Sequence, residues 1–268
     1  MTAKTDLYNN SYGNYEQDAY RDVRLETYGE DFGQTSWVST EESHEIPRRL
    51  ELTPGCSVLE IGSGSGRYAL YVAETVGCQI VGLDLNAEGI RNASALAERR
   101  KLAVQVSFQQ CDVSRPLPFA DGTFNAVFAN DVLCHIPGRP ALLRALWRVL
   151  RPGGRLLFSD ALVVGGTLSN QEIATRSLIG YYLFVPPGEN EKLMAAAGFQ
   201  AIEVTDTTQN AADVSGRWRR ARDKREAELA ALEGKANFDG LQAFLSCVET
   251  LTSERRLLRL VYLARKTT

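Results

Sequence analysis

Residues 57–67 constrain this chain more than any others. Ser57-Val58-Leu59-Glu60-Ile61 is a short apolar run carrying one acid, and Gly62-Ser63-Gly64-Ser65-Gly66-Arg67 places glycine at every second position. Large and β-branched aliphatic residues gain from burial in a sheet, and glycines permit positive φ and close backbone approach. The stretch therefore reads as a strand, a tight turn and a helix start, whose exposed backbone amides suit an anionic or zwitterionic ligand. A dinucleotide site spaces its glycines G-x-G-x-x-G; here the spacing is G-x-G-x-G. Glu60 before the loop and Asp84, which closes Gln79-Ile80-Val81-Gly82-Leu83, put two carboxylates at the tips of adjacent strands.

Beyond the loop the pattern alternates. It predicts helices over 68–76, 87–101 and 140–150, and strands over 79–85, 104–111, 124–129 and 155–162. Such alternation implies a parallel sheet covered by helices on both faces, with ligands beyond the carboxyl ends of the strands. Helical stretches over 170–182 and 188–197 then precede strands over 201–207 and 256–265. Between those strands Val214, Trp218, Ala221, Leu229 and Leu232 recur at helical spacing, followed by 238–251. Upstream, a short helix is expected from Thr40 to the Pro54-Gly55 stop. Residues 1–40 show no strong period but hold five tyrosines, Tyr8, Tyr12, Tyr15, Tyr20 and Tyr28. Disordered tails are poor in aromatics, so this segment is expected to fold over something.

Loop and acids together resemble the S-adenosylmethionine site of the Rossmann-like (class I) methyltransferases. The likeness covers residues 30–205 and the final strand. It implies an α/β fold with a seven-stranded sheet, mostly parallel with the last strand antiparallel, and S-adenosyl-L-methionine as cofactor. On that resemblance Glu60, Gly62, Ser63, Gly64 and Gly66 would meet the amino-acid end of the cofactor, Asp84 with Leu85 the ribose, and Asp112 with Val113 the adenine. Asn130 would stand at the tip of the fourth strand. Asp121-Gly122-Thr123-Phe124-Asn125 is similar to the family's D-x-x-F-D turn, with Asn125 in place of the second acid, and Arg151-Pro152-Gly153-Gly154 to its L-x-P-G-G turn.

The tip of the fourth strand runs into Asn130-Asp131-Val132-Leu133-Cys134-His135. His135 is one of two histidines, and an imidazole titrates near neutral pH, as removal of a proton from an incoming amine or hydroxyl requires. A histidine packed under the following helix is the plainer reading. Asp131-Val132-Leu133-Cys134-His135 is also similar to the D-x-x-x-H segment of the phosphoethanolamine and glycine/sarcosine-type small-molecule methyltransferases. There a histidine at this position works with an N-terminal tyrosine; the likeness points to Tyr15, with the other four tyrosines as competitors. Residues 34–37 resemble the piece that closes on the cofactor carboxylate in those enzymes, which makes Ser36 and Trp37 candidates.

A chain of 268 residues with 44% hydrophobic content buries one large core. A single domain over 1–268 is expected, with an N-terminal lid over 1–40 and a helical cap inserted over 208–252. The net charge of −3 points to neither nucleic acid nor an anionic membrane. Arg217 to Arg225 form the one basic cluster, read as a solvated cap helix, with contact to an anionic substrate or to nucleic acid as other readings. No apolar run approaches the ~20 residues that span a bilayer, and no secretory segment is evident, so a cytoplasmic enzyme is expected. Five cysteines without a C-x-x-C pair read as free thiols and give no metal site; a homodimer is left open.

The expected activity is methyl transfer to a small-molecule acceptor. An amine nitrogen is favoured because tyrosine rings suit an ammonium product, and O-methylation of a natural-product or sugar hydroxyl fits the same residues. Two readings from other classes are a nicotinamide-dependent oxidoreductase, which the glycine spacing opposes, and a non-catalytic cofactor-binding protein.

Overall fold

The computed structural model describes residues 5–267; residues 1–4 of the expected lid, and Thr268, lie outside the described residues. Three helices precede the first strand: α1 (Leu7–Gly13), α2 (Asp18–Tyr28) and α3 (Thr40–Arg49). Then follow β1 (Ser57–Ile61), α4 (Arg67–Val76), β2 (Gln79–Asp84), α5 (Ala87–Arg99), β3 (Val106–Gln110) and β4 (Phe124–Ala129). The second half comprises α6 (Arg139–Val149), β5 (Leu150–Val164), α7 (Asn170–Arg176), α8 (Glu189–Ala197) and β6 (Phe199–Asp206). Three more helices, α9 (Thr208–Asp223), α10 (Glu226–Glu233) and α11 (Lys235–Ser253), stand between β6 and the last strand, β7 (Leu257–Lys266).

The seven strands form one sheet in the order β3-β2-β1-β4-β5-β7-β6. β7 runs antiparallel to both its neighbours, while β1 to β5 pair in parallel. Strand order reverses between β1 and β4, so a crevice opens at their carboxyl ends. Each strand residue faces one side of the sheet. Along β4, Val127 and Ala129 enter one core with β1, α6 and β7, and Ala126 and Phe128 enter the other with α4 and α5. In a third core, which takes in Ala161 and Leu162 of β5 and Leu257 of β7, Tyr20, Val23 and Trp37 pack against Val214, Trp218 and Phe244 of the inserted helices.

The N-terminal residues, which lack a visible period, are helical because of caps and distant packing. Asp6 caps α1 by accepting from Asn9 N–H at 3.0 Å. Ser39 and Glu42 form a reciprocal capping box at α3. α1 and α2 are tied to the insertion: Asp6 N–H donates to Asn237 Oδ1 at 2.7 Å, Tyr20 Oη to Glu233 Oε2 at 2.6 Å, and Arg217 Nε to the Thr27 carbonyl at 2.7 Å. The basic cluster at the end of α9 and the start of α10 is answered within the chain, Arg219 by Glu249 and Arg225 by Glu26, which leaves it a helix face rather than a free cationic patch.

Several boundaries differ from expectation: α3 ends at Arg49, short of the Pro54-Gly55 stop, and β3 is confined to Val106–Gln110. The helix expected over 170–182 stops at Arg176, because residues 177–185 turn back over the strand tips, with Leu183 N–H on the Cys134 carbonyl at 2.8 Å and Val185 N–H on that of Leu162 at 3.0 Å. β5 starts at Leu150, five residues early, as Phe124 pairs with Leu150 before the register shifts. Asn125 stands in for the family's acid by accepting from Ser57 N–H at 2.9 Å, which ties β4 to the start of β1.

Candidate functional site

The glycine loop follows β1 at the crevice. Gly62 and Gly64 have φ of +75° and +52°, and a Cβ there would lie 2.3 Å from Val132 Cγ2 and 2.7 Å from Tyr12 Oη. Only glycine fits such a backbone without strain. The loop is fastened to the next strand by Asp84, whose Oδ2 accepts from Gly64 N–H and whose Oδ1 accepts from Asn86 N–H, both at 2.8 Å. Burial pushes the Asp84 carboxyl above its ordinary pKa, and the backbone amides of Asn86 and Gly64 oppose that shift.

Loop, strand tips and α1 enclose a cavity of about 850 Å³. Of the expected cofactor residues, Ser36, Glu60, Gly62, Ser63, Gly64, Asp84, Leu85, Asp112, Val113 and Asn130 line it. Glu60 is 5% exposed, and its Oε2, like Ser63 Oγ, has no hydrogen-bond partner among the described residues. Burial, with the Asp84 charge adding, pushes the Glu60 carboxyl up to about 8. Asp112 folds back on Ser114, accepting from its Oγ at 2.6 Å. Gly66 and Trp37 are not brought into the lining. Gly66 begins α4 against Phe108 and Ala93, and the Trp37 indole packs 5.9 Å from Trp218 in the third core. Trp37 serves the site through its backbone, whose N–H donates to Asp131 Oδ2 at 2.9 Å.

Asp131 occupies the left-handed region at φ 57°, at the tip of β4. It accepts from Ser159 Oγ at 2.7 Å and from Arg259 Nε at 2.9 Å, and Arg259 Nη1 continues to Glu42 at 2.7 Å. Burial works against the Arg259 charge, yet the carboxylates of Asp131 and Glu42 raise its pKa overall. This buried ion network joins the tip of β4, helix α3 and strand β7. It fixes the chain from which His135 projects four residues on.

His135 lines the cavity, with its Nε2 2.9 Å from Tyr8 Oη and its Nδ1 3.1 Å from the Tyr181 carbonyl. A carbonyl only accepts, so Nδ1 carries the proton and Nε2 accepts from the Tyr8 hydroxyl. Burial lowers the His135 pKa to about 4 against the Tyr181 bond that raises it, so the imidazole is neutral at physiological pH. Burial likewise holds the Tyr8 phenol well above its ordinary pKa. Tyr15, expected beside His135, lies elsewhere: it packs against Gly33, with the Arg24 guanidinium 4.2 Å over its ring. The tyrosine that α1 delivers to the histidine is Tyr8.

Residues 59–158 match the family model described as a methyltransferase domain. The chain is 36% identical over 183 residues to the O-methyltransferase resE of Aspergillus sclerotiorum, covering 66% of this chain and 67% of that one. The chain belongs to the class I S-adenosylmethionine-dependent methyltransferases. Phosphoethanolamine N-methyltransferase of Triticum aestivum is 30% identical over 214 residues, 80% of this methyltransferase, which spans only 41% of the wheat protein. The fold is shared with Haemonchus contortus phosphoethanolamine N-methyltransferase 2 solved with S-adenosyl-L-methionine, at TM-score 0.80 and 23% identity, over 96% of this chain and 60% of that one. As a member of that family the chain uses S-adenosylmethionine as cofactor and methylates a small molecule.

The site fits such a cofactor. Glu60 Oε2 and Ser63 Oγ are buried polar atoms awaiting partners, and the glycine turn leaves room that a Cβ would fill. Asp6, Asp84, Glu88, Asp112 and Asp131 line the cavity with Arg91, and Asp84, which has no ion-pair partner among the described residues, favours a cation there. Sequence reasoning missed Tyr8, Tyr12 and Asn86 as lining residues. The available signal was the cap residue Asp6 with tyrosines four apart behind it, which places Tyr8 and Tyr12 on one helical face.

Proposed function

We propose that this methyltransferase acts on an acceptor that gives up a proton as it is methylated, and that the acceptor is an uncharged hydroxyl-bearing small molecule. The observation that carries the reading is the Tyr8 Oη to His135 Nε2 hydrogen bond of 2.9 Å at the cavity wall. A neutral imidazole with its lone pair aimed at a phenol is a base reached through a relay. The acceptor hydroxyl passes its proton to Tyr8 Oη while Tyr8 passes its own to Nε2, and the Tyr181 carbonyl stabilises the imidazolium through Nδ1. When bound, S-adenosylmethionine supplies an electrophilic methyl group on a sulfonium, so much of the rate rests on holding the acceptor oxygen in line.

The acid-rich lining supports an acceptor without a phosphate. In cofactor binding, Glu60, Ser63 and the glycine turn are proposed for the amino-acid end, Asp84 and Leu85 for the ribose, and Asp112 and Val113 for the adenine. Residues 5–40 are proposed as the lid and α9–α11 as the cap of one domain. An amine acceptor is the second reading, favoured by the Tyr8, Tyr12 and Tyr181 rings in the lining. The test is incubation of metabolite pools with deuteromethyl cofactor and mass spectrometry of the products. Labelled ethers with no labelled amines support the first reading; labelled amines alone overturn it in favour of the second.

A further inference from the structure

Arg176 ends α7 at 1% exposure. Its Nε and Nη1 are buried with no hydrogen-bond partner among the described residues, and Glu172, one turn earlier, is held by Arg256 at 2.6 Å instead. The guanidinium lies among rings, 4.4 Å from the centroid of Tyr182, 5.0 Å from Phe244 and 5.8 Å from Trp37. The Tyr182 ring in turn lies 4.4 Å from that of His135, at 38°. A buried guanidinium without a counter-ion costs far more than an apolar side chain of similar length. Packing alone does not account for it.

The groups facing the His135 imidazole come from four directions. They are Tyr8 on α1, Tyr182 and the Tyr181 carbonyl after α7, the Cys134 thiol beside it, and Asp131 and Asp160 at the strand tips. Asp131 is answered by Arg259 at 2.9 Å, and Asp160 by Arg139 at 2.6 Å. Each of these carboxylates thus has an arginine partner, whereas Arg176 has no carboxylate partner among the described residues.

We propose that Arg176 is a positioning residue of the transfer site: its unanswered charge, within one ring of His135, steadies the Tyr182–His135 stack and keeps the imidazole unprotonated for the acceptor's proton. The same cation favours the deprotonated form of a hydroxyl over an ammonium. The inference rests on the reading that His135 takes the proton, and deepens it. His44 is the only other histidine, so the imidazole resonances of the full chain are separable by NMR, with His135→Gln giving the assignment.

The expected result is a wild-type His135 that stays unprotonated down to about pH 5, well below the ordinary 6.5. In Arg176→Met its midpoint moves up by about one unit, tenfold in proton affinity, and the acid limb of kcat moves with it; Arg176→Lys stays near wild type. A midpoint in Arg176→Met equal to wild type, or Arg176→Lys behaving as Arg176→Met, overturns the proposal. Where Arg176→Met does not fold, Arg176→Gln decides: a His135 midpoint raised above that of wild type supports the proposal, and one equal to wild type overturns it. Full turnover in His135→Gln ends the relay reading yet leaves the titration result standing, so the two failures are distinguishable.

Discussion

At the scale of single residues, the site separates groups that do chemistry from groups that hold them. Replacing His135 with Gln is expected to lower kcat by about 10²–10⁴ with S-adenosylhomocysteine affinity unchanged, the loss of one general base. Tyr8→Phe shares that loss, and Tyr15→Phe, whose ring stands against Arg24, leaves kcat near wild type; steady-state rates and calorimetric binding together check all three. Glu60 carries a pH signature. Its carboxyl is raised from the ordinary 4.5 to about 8, so the folded state holds that proton more tightly than the unfolded chain. By linkage its contribution to stability is complete below about 4.5 and is lost as pH rises through about 8. Thermal melts of the cofactor-free protein between those values are expected to slope downward, and Glu60→Gln to flatten the slope. Asp84 and His135 were legible in the sequence because the glycine loop and the D-x-x-x-H segment fix their place on strand tips. Tyr8 was not, since choosing among five tyrosines depends on how α1 packs 127 positions away from His135 along the chain.

At the scale of elements, the sheet was readable and its covering was not. The inner strands β1, β2, β4, β5 and β7 coincide with apolar runs, because burial on both faces of a sheet demands one, whereas the edge strands β3 and β6 are largely exposed. α1 and α2 show no such run, since their buried faces are tyrosine-rich and meet a helical insertion far along the chain, as where Arg217 reaches Thr27 and Trp218 meets Tyr28. The early end of α7 was equally hidden: bonds from residues 183 and 185 to the strand tips outweigh local helix propensity. The join between α2 and α10 is testable. Glu233 takes the Tyr20 hydroxyl at 2.6 Å and is the ion-pair partner of buried Arg222. Glu233→Gln strands that guanidinium and is expected to cost about 3–5 kcal/mol, read as a lower urea midpoint. Since α1 and α2 rest on α9–α11, weaker cofactor binding should accompany it.

At the scale of the whole molecule, seven strands, the N-terminal helices and the insertion converge on one crevice between β1 and β4. The network of Asp131, Arg259 and Glu42 is what joins them. Asp131→Asn removes the main counter-charge of a fully buried arginine, with an expected loss of about 3–5 kcal/mol by chemical denaturation. Arg259 belongs to β7, yet β7 lies inside the sheet, between β5 and β6. During translation, then, β6 has no neighbour and Asp131 no cation until residue 259 has left the ribosome. Nascent chains arrested before that point should be protease-sensitive and unable to retain the nucleoside, however complete their glycine turn.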